Sequence, residues 1–175
     1  KPNIVVILAD DHRADGLHAL GTALLQTPIL DSLVERGTTF TRCYTMGSLI
    51  GAVCLPSRTM MLTGRSWMRI PGPKAAPADR NASTFLPSVL KAAGYETWHM
   101  GKGGNEFKAG LQAFDVHIVD EGTGEGPETG RAFSSNRHAD KAVAFLQSRD
   151  KSRPFYLYLA PPVPHDPRVA EPQFH

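Results

Sequence analysis

Two apolar runs rich in β-branched and aromatic residues, Asn3 to Ala9 (NIVVILA) and Pro154 to Ala160 (PFYLYLA), limit the architecture most tightly. Continuous runs of that length read as strands buried on both faces, the habit of parallel sheets covered by helices. The sequence between them is punctuated as helices. Thr27 can cap a helix beginning at Pro28, with Gly37 at its C′ position. Cys54 to Thr63 forms a second helix ending at Gly64. A third has Leu86, Val89, Leu90 and Ala93 on one face, Ser83 or Thr84 as its cap and Gly94 as its stop. Ser134 to Arg149 is the clearest amphipathic stretch, with Ala139, Ala142, Val143 and Leu146 on one side. Shorter strands are expected at Thr38 to Tyr44, Tyr95 to Met100 and Phe114 to Val119. Ser66 to Ala82 and Asp120 to Arg131 read as loops. Strands alternating with helices predict an α/β fold with a mostly parallel central sheet. The last strand is followed only by a proline-rich segment, so an unprotected sheet edge is expected there. On that reasoning the chain is the front part of something longer.

Composition excludes several classes. The 175 residues suit one domain and can bury a core without a disulfide scaffold. Lys and Arg number 19 against 17 Asp and Glu, with no basic block, which argues against nucleic acid as a partner. The longest apolar run, Ile4 to Ala9, is too short to cross a membrane, and Lys1 leads straight into a strand-like segment, as it would also after removal of a leader. Cys43 and Cys54 lack zinc spacing, and Cys43 reads as a small buried hydrophobe. Glycine motifs for dinucleotides, nucleotides or serine hydrolases are absent.

In open α/β sheets ligands bind at the carboxyl ends of strands. Three polar clusters fall there: Asp10-Asp11, His99 to Lys102, and His165-Asp166. Adjacent carboxylates suit a hard cation, but a bare pair is more often a solvated strand end or a helix cap. Lys102 lies among Gly101, Gly103 and Gly104, where an ammonium can reach an anion or simply face water. His165, between prolines, can exchange a proton near neutrality or hydrogen-bond to the backbone. Cys54 begins a helix with Arg58 one turn on, a positive setting that favours thiolate character and anion binding.

The full string Cys54-Leu55-Pro56-Ser57-Arg58, followed by Leu62-Thr63-Gly64-Arg65, resembles the signature of the type I sulfatases. In that family the signature directs oxidation of the cysteine to formylglycine. Pro2 to Asp11 resembles the family's opening strand with its metal-binding acidic pair, and Thr27 to Leu33 the helix after it. Gly37 to Phe40 is similar to the next turn, Gly94 to Thr97 with Gly101-Lys102 to the segment bearing a sulfate-binding lysine, and Pro164-His165-Asp166-Pro167 to a late histidine loop. The resemblance implies an alkaline phosphatase-like fold and a sulfuric ester hydrolase. Asp10, Asp11 and an oxygen of the modified Cys54 would bind a divalent cation, typically Ca²⁺. Formylglycine at Cys54 would be the nucleophile, Arg58 would hold it, Lys102 would contact a sulfate oxygen, and His165 would protonate the leaving alcohol.

The resemblance further implies a small-molecule or carbohydrate sulfate ester as substrate, a formylglycine-generating maturation enzyme as partner, and a periplasmic or secreted location. Two departures stand out. Gly104 occupies the place where the family usually carries a histidine, and residues 1–175 lack the later metal pair and second basic contact. Because Ca²⁺ takes roughly 6 to 8 oxygen ligands, the expectation is the N-terminal part of a sulfatase catalytic domain. Two alternatives stand beside the sulfatase reading: a phosphonate or phosphate ester hydrolase of the same superfamily, and an inactive fragment that binds anions.

Overall fold

The computed structural model describes residues 1–44, 53–70, 82–103, 107–123 and 126–169. In chain order the main elements are β1 (Ile4–Ile7), α1 (Pro28–Arg36), α2 (Cys54–Thr63), α3 (Leu86–Ala92), β2 (Glu96–Gly101), α4 (Lys108–Leu111), β3 (Val116–Val119), α5 (Gly126–Thr129), α6 (Ser134–Ser148) and β4 (Phe155–Ala160). The four strands form one parallel sheet in the order β1-β4-β2-β3. This is the expected fold class.

The last strand is not at an edge. β4 lies between β1 and β2, pairing Val6 with Tyr158 on one side and His99 with Tyr158 on the other. The edges fall to β1 and β3, so the expected exposed final strand is corrected. Strand β4, with large aromatic and aliphatic side chains on both faces, takes the position where both neighbours and both faces bury it. Tyr156, Tyr158 and Ala160 point into a core shared with Leu62 of α2 and with Phe85, Phe107 and Phe114. Phe155 and Leu157 point the other way, against Ala142 and Phe145 of α6. Trp98 of β2 stacks on Phe145 at 4.3 Å between ring centroids. Each such buried side chain contributes roughly 1.5–3 kcal/mol, so these two cores hold the sheet together.

Several local expectations need correction. β1 is buried on one face only: Val5 and Ile7 are 50% and 63% exposed, while Ile4 and Val6 pack on the first core. The difference comes from α6, whose buried residues pack on β2 and β4 and leave that side of β1 uncovered. Residues 38–44 form no strand: they are exposed, Phe40 at 80%, and the sheet offers them no partner, so β propensity alone does not make one. Cys43 is likewise exposed, not buried.

α1 starts at Pro28 as expected, but the Thr27 hydroxyl accepts the His18 N–H and does not cap its own helix. Gly37 is extended there, with φ −116°. α3 is preceded by Phe85, with Ser83 and Thr84 in a 3-10 turn, because Pro87 in the first turn fits a helix starting at Leu86. The Asp120 to Arg131 segment contains a short helix, α5. Most of the expected Ser66 to Ala82 loop lies outside the described residues. Among the described residues no helix is long and apolar enough to cross a membrane.

Candidate functional site

The three polar clusters at strand ends converge. Past β1, the Leu8 N–H donates to the Leu159 carbonyl at 2.8 Å and the Asp10 N–H to the Val163 carbonyl at 3.2 Å. This ladder carries Asp10 beside the segment that follows β4, with only 3% of the residue exposed. At the end of β2, Gly101 adopts φ +136°, and a Cβ there would lie 2.1 Å from the Ala160 carbonyl oxygen. Glycine alone permits that approach, and the Lys102 N–H donates to the same carbonyl at 2.7 Å. Lys102 Nζ then reaches Asp10 Oδ2 at 2.5 Å. α2 supplies the third side, because Cys54 and Arg58 are one turn apart and face the same way. Arg58 Nη2 donates to Asp10 Oδ1 at 3.2 Å. Cys54 Sγ lies 3.6 Å from Asp10 Oδ1 and 3.7 Å from Lys102 Nζ.

Two other expected residues form an outer rim. Asp11, in the left-handed region at φ 58°, turns its side chain outward to 59% exposure. His165 Nε2 is 3.6 Å from Asp11 Oδ2, and its Nδ1 lies 2.7 Å from the Asp166 carbonyl oxygen. Asp10, Cys54 and His165 offer ligand atoms all within 4.8 Å of one another. All six residues singled out in the sequence are therefore at one place, in two layers. Gly104, expected in the position of a family histidine, lies outside the described residues.

The inner layer is a buried ion cluster with one carboxylate between two cations. Burial raises the Asp10 carboxyl pKa, but the Lys102 hydrogen bond and the charges of Arg58 and Lys102 outweigh it and hold the group below its ordinary value. Cys54 shifts the other way. Burial and the adjacent Asp10 charge raise its thiol above the usual range, against the lowering effect of Lys102. The thiolate character expected from a helix start beside arginine is thus corrected: 6% exposure and a neighbouring carboxylate win. As a thiol, Cys54 is a poor nucleophile near neutral pH.

One carboxylate, one imidazole and a position able to carry an oxygen are close enough to share a divalent cation, while the Asp11 carboxylate stands farther out beside His165. Lys102 and Arg58 already contact both oxygens of Asp10, so a cation there would share that carboxylate with them.

Two supporting residues carry no motif. Tyr158 on β4 accepts a hydrogen bond from Arg58 Nη1 at 3.2 Å. Arg131 Nη2 donates to the Pro162 carbonyl at 2.6 Å, fixing the loop that carries His165. Tyr158 has a weak sequence trace, since it shares a strand face with Ala160. Arg131 has none.

The sulfatase family model matches residues 2–175. An N-acetylglucosamine-6-O-sulfatase of Bacteroides thetaiotaomicron is 30% identical over an alignment covering 94% of this chain and 31% of that protein. A solved structure of a protein bound to its substrate D-glucosamine-2-N,6-O-disulfate superposes with a TM-score of 0.73 at 25% identity, covering 95% of this chain and 35% of that one. The phosphonate monoester hydrolase of Agrobacterium radiobacter shares the fold, with a TM-score of 0.70 at 21% identity, over 98% of this chain and 43% of that one. The chain spans about a third of the length of the curated relatives it matches.

Proposed function

The chain belongs to the sulfatase family, and from that premise we propose that it takes part in hydrolysis of a sulfate ester, with residue 54 as the nucleophile after conversion of its thiol to formylglycine. One observation carries the proposal. Cys54 Sγ lies between the Asp10 carboxylate and the Lys102 ammonium, at 3.6 and 3.7 Å, in a pocket where the thiol itself is held neutral. An unmodified cysteine gains only weak sulfur hydrogen bonds there and stays a poor nucleophile. A hydroxyl oxygen at the same point gains a carboxylate to orient it and a cation to offset charge on the group it attacks.

In this reading the oxygen on residue 54 forms a bond to sulfur while the bond from sulfur to the sugar oxygen breaks. His165, at the rim, gives the departing oxygen a proton. Lys102 and Arg58 place fixed positive charge beside the sulfuryl oxygens, where a preorganised charge in a water-poor site acts strongly. Asp10 and Asp11 would hold a divalent cation such as Ca²⁺, which when bound supplies Lewis acidity and lowers the pKa of a coordinated hydroxyl. Formylglycine requires a maturation enzyme acting on the Cys54 signature. A 6-O-sulfated hexosamine is the substrate class best supported, given the relative that is an N-acetylglucosamine-6-O-sulfatase and the neighbour bound to a 6-O-sulfated glucosamine.

The test uses the protein at its natural length from its native source. Mass spectrometry of the peptide containing residue 54 finds an aldehyde in place of the thiol. Turnover of N-acetylglucosamine-6-sulfate falls at least about 10³-fold in Cys54→Ala. Retained turnover in that variant, or a native peptide still carrying the thiol, overturns the assignment. Faster cleavage of a phosphonate monoester than of the sulfate ester assigns the site to the other branch of the superfamily.

A further inference from the structure

Arg58 is 2% exposed and is anchored at both ends of its guanidinium. Nη2 donates to Asp10 Oδ1 and Nη1 to the Tyr158 hydroxyl, each at 3.2 Å. Acceptors at the two Nη atoms, one a carboxylate and one a hydroxyl, together define the plane of the guanidinium. We infer that Tyr158 is a positioning residue of the catalytic site, its hydroxyl fixing the plane in which Arg58 faces Asp10 and residue 54. The inference rests on the sulfate-ester reading for its kinetic consequence, but not for its geometry.

The surroundings of Tyr158 suit the task. Its backbone is locked between β1 and β2, and its ring is 0% exposed. His99 and Phe114 pack on that ring at centroid distances of 5.2 and 6.1 Å, leaving it no room to turn. The same strand carries an internal control. Tyr156, two residues earlier on the same face, is 1% exposed, and its hydroxyl has no hydrogen-bond partner among the described residues. Two tyrosines thus share strand, face and core, and one of them holds Arg58.

The experiment compares Tyr158→Phe with Tyr156→Phe in the protein at its natural length. In Tyr158→Phe, kcat for the sulfate ester falls about tenfold while KM stays within about twofold, as expected when orientation in place of binding is lost. Tyr156→Phe changes neither. NMR of ¹⁵N-arginine-labelled protein provides a readout independent of turnover: the Arg58 Nη signals are resolved by hindered rotation in the unmutated protein and merge in Tyr158→Phe. An unchanged kcat, a fall in kcat without change in those signals, or equal effects from the two variants overturns the inference. If Tyr158→Phe does not fold, free rotation of Arg58 in the unmutated protein overturns it alone, and hindered rotation supports it. Absence of sulfate-ester turnover in the unmutated protein defeats the functional reading, while the Nη signals still decide the positioning claim.

Discussion

Two strand ends of this sheet carry an aspartate gripped by a helical arginine, and they are built to opposite designs. At the end of β3, Asp120 takes a two-pronged contact from Arg137 on α6, Nε to Oδ2 and Nη2 to Oδ1, both at 2.8 Å, and the Gly122 N–H adds a third bond at 3.0 Å. One cation faces one carboxylate in matched geometry. At the end of β1, Asp10 is shared between Arg58 and Lys102, each touching a different oxygen, with a cysteine alongside. Two cations there share one buried carboxylate, and Lys102 Nζ also lies 3.7 Å from Cys54 Sγ. The first arrangement closes on itself and fastens α6 to the sheet. The second gathers two cations, a carboxylate and a cysteine from three separate elements at one buried point.

Removing each aspartate's charge tests that contrast. Asp10→Asn strands two buried cations and costs about 3–5 kcal/mol of stability by denaturant unfolding, together with loss of sulfate-ester turnover. Asp120→Asn leaves one partly exposed arginine without its counter-ion and costs about 1.5–3 kcal/mol, with kcat held within about twofold. A tenfold fall in kcat for Asp120→Asn would erase the distinction between fastener and site.

A smaller effect separates the histidines beside the two clusters. His99 and His138 are both buried; His99 has no hydrogen-bond partner for either ring nitrogen among the described residues, whereas His138 Nε2 lies 3.6 Å from Asp120 Oδ2. Burial pushes His99 down to about 3, whereas at His138 the same downward push is opposed by the charge of Asp120. The unfolded chain binds the proton more readily, so His99 contributes stability that is complete above pH 6.5 and drains as pH falls toward 3. The slope is about 1.4 kcal/mol per pH unit. His99→Leu flattens this limb of the stability curve, and His138→Leu flattens it less. Equal slopes in both variants would show that the Asp120 charge does not reach His138.

How much of this was legible beforehand depends on whether a feature is local. The Cys54 to Arg65 string, the Asp10-Asp11 pair, Lys102 and His165 stand out because their chemistry and spacing lie within a few residues of one another. The apolar runs announce strands for the same reason. Strand order is not local: nothing in PFYLYLA says that it enters between β1 and β2. The exposure of Val5 and Ile7 depends on where α6 ends its coverage, and the neutral thiol of Cys54 depends on Asp10 arriving from 44 residues away. Tyr158 escaped notice because its role lies in a contact across 100 residues, whereas in the sequence it is one more aromatic in a strand.

The place of β4 bears on how this cluster comes into being. Asp10 follows β1 and Lys102 follows β2, and the strand that spaces them is the last of the four to leave the ribosome. Until it emerges, Asp10 has no ladder partner at Val163, the Lys102 N–H has no acceptor at Ala160, and Arg58 has no hydroxyl to brace it. A chain without Phe155–Ala160 and the segment after it would hold Asp10, Arg58 and Lys102 but lack the Val163, Ala160 and Tyr158 contacts that place them, so the last strand in the sequence is the keystone of a site whose other parts all precede it.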